Sequence, residues 1–78
     1  MKNKETKIRE TMRLNIINKR KELNMTQTDL ANVVDLKKNT IASWEQGLSS
    51  PDIDTIAKLL TIFDMDIYDF TGIVRKTP

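Results

Sequence analysis

The punctuation of this chain limits what it can fold into more than any other feature. Thr26, Asp52 and Asp66 each stand just before an apolar-periodic stretch, where a side-chain oxygen can accept a free backbone N–H. Asn24, Gly47 and Gly72 each stand just after one, where left-handed backbone costs little. Beyond residue 24 the chain must therefore be a series of short helices. The spacing predicts a first helix over about residues 9–24, with Met12, Ile16 and Leu23 on one face. A second runs over about 27–34 with Leu30, Ala31, Val33 and Val34 as its stripe, and Asp29 is the acidic partner of the Thr26 cap. After a break at Asp35 and Leu36, a third helix opens at Lys37 or Lys38, turns Ile41, Trp44 and Glu45 inward, and stops at Gly47. A fourth follows Asp52, burying Ile53, Ile56, Ala57, Leu59, Leu60 and Phe63 up to Asp64. A fifth spans about 67–70. No strand signal of useful length exists, so the fold class is all-α, a five-helix bundle.

With 78 residues the chain is one domain at most. Residues 1–11 are polar and lack a stripe, so they are a flexible basic arm or an extension of the first helix. The domain proper is expected over 12–71, and 72–78 is a tail. No stretch approaches the roughly 20 apolar residues of a membrane span, and the charged N-terminus lacks the apolar region of a secretory signal. A cytoplasmic location is the expectation, with no membrane partner.

Residue types that are missing narrow the function. The chain has no cysteine and no histidine. Thiol chemistry and the usual metal ligands are absent, as is the common acid–base group near neutral pH. No carboxylate pair is brought into a cleft by the helix positions. An enzyme is not expected, nor a cofactor or a bound metal. Charge is unevenly spread: residues 1–24 carry eight Lys/Arg against three Glu, while 49–74 carry one Lys against five Asp. A basic stretch beside an acidic one points to a polyanion on one face, although a mixed-sign solvated surface has the same composition.

Two short helices joined by a tight turn, the second ending at glycine, make a helix-turn-helix pattern. The stretch MTQTDLANVVDLKKNTIASWEQG, residues 25–47, resembles the Cro/repressor class of helix-turn-helix proteins, also called the XRE family. The matching pieces are Thr26-Gln27, Leu30-Ala31, Thr40-Ile41, Trp44-Glu45 and Gly47, followed by Pro51 and the IAKLL of residues 56–60. The similarity covers roughly residues 14–70 and resembles the DNA-binding domains of lambdoid phage repressors. It implies a five-helix bundle that binds a double-stranded DNA operator as a dimer and regulates transcription.

Helical geometry agrees with that expectation. At about 100° per residue, Lys38, Asn39, Ala42, Ser43 and Gln46 face away from Ile41, Trp44 and Glu45. Lysine can donate to guanine O6 and N7, asparagine can pair with adenine N6 and N7, and the small Ala42 admits a thymine methyl. Lys38, Asn39, Ala42 and Ser43 are therefore the candidate base contacts. Arg20, Thr26, Gln27, Lys37 and Gln46 are the candidate phosphate contacts. By the resemblance, Gln27 touches a phosphate and braces the recognition helix, and the start of the second helix meets the same strand. The resemblance also pairs Arg20 with Glu45, a partly buried ion pair fixing the third helix against the first. Trp44 is expected in the core.

The sequence departs from the family at three places. Asp35 and Asp64 stand where glycine is usual, and both can be left-handed at some cost. The loop Leu48-Ser49-Ser50-Pro51-Asp52 has no Lys or Arg to clamp phosphate. Positive charge must come from Lys37, Lys38, Arg20 and the arm residues Lys7, Arg9 and Arg13, which predicts modest affinity and a shallow salt dependence. Met65, Tyr68, Ile73 and Val74 are the expected surface of a weak homodimer, with Ile67 and Phe70 as core. The alternative is a protein-interaction module, such as an antirepressor that binds another regulator protein through the same fold.

Overall fold

The computed structural model describes residues 4–74. Five helices follow one another: α1 Lys4–Glu22, α2 Gln27–Val33, α3 Lys38–Glu45, α4 Ile53–Phe63 and α5 Ile67–Thr71. No strand occurs among the described residues. α1 packs against α3 and α5, and α2 packs against α3.

The helix starts follow the capping chemistry. Thr26 Oγ1 accepts from the Asp29 N–H at 3.0 Å, and the Asp29 carboxylate accepts from the Thr26 N–H at 2.9 Å, which closes a capping box. Asp52 and Asp66 cap α4 and α5 through the N–H groups of Thr55 and Asp69, each at 2.8 Å. Each such cap is worth about 1 kcal/mol. Lys37, the cap of α3, makes no side-chain bond to it. The stops are left-handed: Asn24, Asp35 and Asp64 have φ of 58°, 59° and 53°, and Gly47 and Gly72 have 77°.

The core takes Met12 and Ile16 from α1, Leu30 and Ala31 from α2, Val34 just after it, Ile41 and Trp44 from α3, Leu59 and Phe63 from α4, and Phe70 from α5. Phe63 and Phe70 join the last two helices, their ring centroids 6.4 Å apart. Each fully buried side chain contributes about 1.5–3 kcal/mol relative to exposure, and truncating Leu59 to alanine would cost about 2–5 kcal/mol.

Four apolar residues expected inside lie outside. α1 ends at Glu22, so Leu23 falls in the turn and is exposed. Val33 is exposed on the outer side of α2. On α4, Ile53 is 72% exposed and Ala57 is also exposed. The apolar arc of α4 is wider than the core behind it, and only the arc centred on Leu59 and Phe63 is covered. Residues 4–11 are helical, while 1–3 and the 75–78 end of the tail, with Arg75 and Lys76, lie outside the described residues.

Candidate nucleic-acid interface

The site is organised from behind, by the residues that hold α3. Arg20 lies in the last turn of α1 and Glu45 is the last residue of α3. Arg20 Nε donates to Glu45 Oε2 at 2.8 Å and Nη2 donates to Oε1 at 3.0 Å, a two-pronged pair. Arg20 Nη1 donates to the Met25 carbonyl at 2.8 Å, so one guanidinium ties the end of α1, the entry to α2 and the end of α3. Gln27 Nε2 donates to Glu45 Oε1 at 3.1 Å. The two side chains of the pair are only 12% and 9% exposed.

Burial pushes the Glu45 carboxyl up, but the bonds from Arg20 and Gln27 and the charges of Arg20 and Lys21 outweigh it, leaving Glu45 below the usual carboxylate range. Glu45 is thus ionised wherever the fold is intact near neutral pH. Arg13, two turns before Arg20 on the same face of α1, adds a bond from Nη1 to the Glu45 carbonyl at 3.3 Å and an ion pair to Glu10 at 2.7 Å. Sequence reasoning puts Arg13 in the basic arm and not against α3. Its seven-residue spacing from Arg20 is the available signal, since seven residues return to one helical face.

Held this way, α3 presents Lys38 and Asn39 exposed, Ala42 and Ser43 half-buried, and Gln46 just beyond its end exposed. None of the large exposed apolar side chains belongs to α3; Leu36 and Leu48 lie just outside its two ends. The exposed side of α3 is polar. The cleft of about 240 Å³ beside it, between α1 and residues 47–51, is lined by Trp44 and Arg13 but by none of Lys38, Asn39, Ala42 or Ser43. Ser43 Oγ is bonded to Ser49 Oγ at 2.8 Å, a contact that sequence periodicity does not reveal.

Among the expected phosphate contacts, Thr26, Lys37 and Gln46 are exposed and Gln27 is half-buried with its amide on Glu45. Lys37 and Lys38 sit together at the start of α3, next to the positive end of the helix dipole. Arg20 is the least available, because all three of its nitrogens already have partners inside the protein. Among the expected dimer residues, Tyr68, Ile73 and Val74 are exposed, whereas Met65 packs partly against the core. Asn15 ties α1 to the end of α5, donating to the carbonyls of Asp69 and Phe70 at 3.1 and 3.0 Å. Those bonds join positions 54 and 55 residues apart and leave no trace in local pattern.

Among the described residues no group of carboxylates could hold a metal ion, and no helix is long and apolar enough to cross a membrane.

A family model described as helix-turn-helix matches residues 16–70, from the last third of α1 through α2, the turn, α3 and α4 into α5. The chain belongs to that family, the XRE or Cro/repressor type of helix-turn-helix protein. It is a DNA-binding helix-turn-helix regulator. Comparison with curated proteins and with solved structures gave no match.

Proposed function

We propose that the chain is a sequence-specific transcriptional regulator of the repressor or Cro-like kind, which reads the major groove with α3. One observation carries this reading. Lys37 and Lys38 open α3 with no side-chain cap and no acidic residue in the first turn, whereas α2, α4 and α5 are all capped by Thr or Asp. A cation at a helix N-terminus opposes the dipole and costs about 0.3–1 kcal/mol. The fold gains nothing from that arrangement. Binding to a DNA phosphate backbone does gain, because each neutralised phosphate releases counterions.

In this reading Lys38, Asn39, Ala42 and Ser43 meet base edges, and Lys37, Thr26, Gln27 and Gln46 meet phosphates. Arg20 acts mainly by orienting α3 through Glu45. One recognition helix covers too few base pairs to define an operator, so two copies bind half-sites about 34 Å apart. Tyr68, Ile73 and Val74 supply the partner surface, with a smaller share from Met65. No catalytic role is part of this reading, and the place of action is the cytoplasm.

Fluorescence anisotropy tests it, with duplexes flanking the protein's own gene and with random duplex, each at two salt concentrations. Tighter binding to one flanking duplex, weakening as salt rises, is the expected result. Sedimentation alongside should show a weak dimer that strengthens on DNA.

The acidic half of the chain favours a second reading. Asp52, Asp54, Asp64, Asp66 and Asp69 are all exposed, and such a surface suits a basic protein partner. Failure to bind any duplex at low salt would select that antirepressor-like role instead.

A further inference from the structure

We infer that Ser49, in the loop between α3 and α4, is a positioning residue that sets how Ser43 reads its base. The inference rests on the DNA-reading function proposed above and deepens it.

The backbone delivers Ser49 to this place. Gly47 is left-handed, with φ of 77°, and its N–H donates to the Trp44 carbonyl at 3.1 Å. The Leu48 N–H reaches back to the Ser43 carbonyl at 2.9 Å. These two bonds are the usual left-handed ending of a helix, and they fix the residue immediately before Ser49 onto Ser43 itself. The Ser49 hydroxyl then lies 2.8 Å from that of Ser43. A serine within a helix commonly turns its hydroxyl back onto a carbonyl of the preceding turn. Ser43 bonds to the loop instead, at the edge of the exposed face of α3.

The chemistry of the pair gives it a consequence. A serine hydroxyl has one hydrogen and two acceptor positions. When Ser49 donates, the Ser43 hydrogen is free for an acceptor such as guanine O6 or N7, or thymine O4. When Ser43 donates to Ser49, it can only accept, from adenine N6 or cytosine N4. Ser49 therefore fixes the Ser43 rotamer while either polarity stays satisfied. The same loop, residues 48–52, contains no Lys or Arg and ends in Asp52, so it is poorly suited to gripping phosphate directly. Ser49 acts through Ser43.

The test compares wild type, Ser43→Ala, Ser49→Ala, the double variant and Ser49→Thr. A preferred duplex is selected from a randomised pool, and binding is measured to it, to its single-base variants and to random duplex. Ser43→Ala should flatten the preference at one base position. Ser49→Ala should flatten it at that same position, with discrimination lowered about two- to tenfold. Its affinity for random duplex and its melting temperature should match wild type. The double variant should equal Ser43→Ala, and Ser49→Thr should restore the preference. Two results overturn the role of Ser49: an unchanged base preference in Ser49→Ala, or an equal loss on selected and random duplexes, which would make Ser49 a phosphate contact. A wild-type protein with no preference among duplexes overturns the DNA-reading function itself, and the role of Ser49 with it.

Discussion

Arg20 and Glu45 close a two-pronged ion pair, 2.8 and 3.0 Å, between the last turn of α1 and the last residue of α3. Both side chains are largely withdrawn from water, so neither charge can be left alone cheaply. Arg20→Ala or Glu45→Ala should each destabilise the fold by about 2–4 kcal/mol. The double variant Arg20→Met, Glu45→Leu should cost less than either, because it strands no charge. Urea unfolding of the three variants checks this. The single variants should also bind DNA less well than their folded fraction explains, because α3 loses its brace.

Glu45, Asp29 and Asp52 lie below their ordinary carboxylate range in the folded state. Glu45 is pushed up by burial but held down more strongly by Arg20, Gln27 and Lys21; Asp29 is lowered by its bonds from Thr26, and Asp52 by its bonds from Thr55. The unfolded chain therefore binds more protons than the folded one as pH falls through the carboxylate range. Stability from these groups is complete above their unfolded pKa values and drains away below them, so the melting temperature should fall from about pH 4.5 downward. With no histidine in the chain, it should stay level between about pH 5.5 and 8. A melting step near pH 6.5, about where an ordinary histidine titrates, would contradict this. Glu45→Gln should melt lower at neutral pH and show a shallower acid limb.

Under the proposed reading, Lys37 gives up helix stability for a phosphate contact. Lys37→Ser gives α3 the cap it lacks and removes a cation from the wrong end of the dipole, so the fold should gain about 1 kcal/mol. Affinity should fall evenly across sequences, and the slope of log affinity against log salt should shrink by about 1 per protomer. Thermal melting and salt-dependent anisotropy on one preparation measure both. A variant that is more stable and binds equally well would show that Lys37 touches no phosphate.

Asp35 and Asp64 hold left-handed backbone that an L-residue adopts at a cost. Asp35→Gly and Asp64→Gly should each stabilise by about 0.5–1 kcal/mol, after allowing for the extra freedom glycine has when unfolded. Thermal melting of each variant reads this directly. Loss of stability in either would show that the aspartate side chain supports its turn.

The helix boundaries from α2 onward are legible in the sequence because caps and stops are local. Thr26, Asp52 and Asp66 each reach an N–H three residues on, and Asn24, Gly47 and Gly72 each act within one turn. Arg20–Glu45 is legible through family resemblance. The start of α1 is not, since residues 4–11 carry no sustained apolar stripe. Ile53 and Ala57 read as core because periodicity gives the direction of a buried arc but not its width, which the packed neighbours decide. Asn15 and Ser49 act through polar bonds to elements distant in the chain or across a turn, and periodicity carries no information about them, while Arg13 leaves only its seven-residue spacing from Arg20 as a signal. The outward face of α3 is legible for the opposite reason: once Ile41 and Trp44 are inside, the helix leaves Lys38, Asn39 and Ala42 nowhere else to point.

Reading of base edges by α3 is tested most directly at Asn39, which is exposed on that face and whose side chain makes no bond that holds the fold among those described. The decisive measurement is the base preference of Asn39→Ala beside wild type, by selection from a randomised duplex pool followed by anisotropy on single-base variants. If α3 reads base edges, Asn39→Ala loses preference at one position, worth about 1–3 kcal/mol, and retains its affinity for random duplex. An Asn39→Ala protein that keeps the wild-type preference at every position would contradict it.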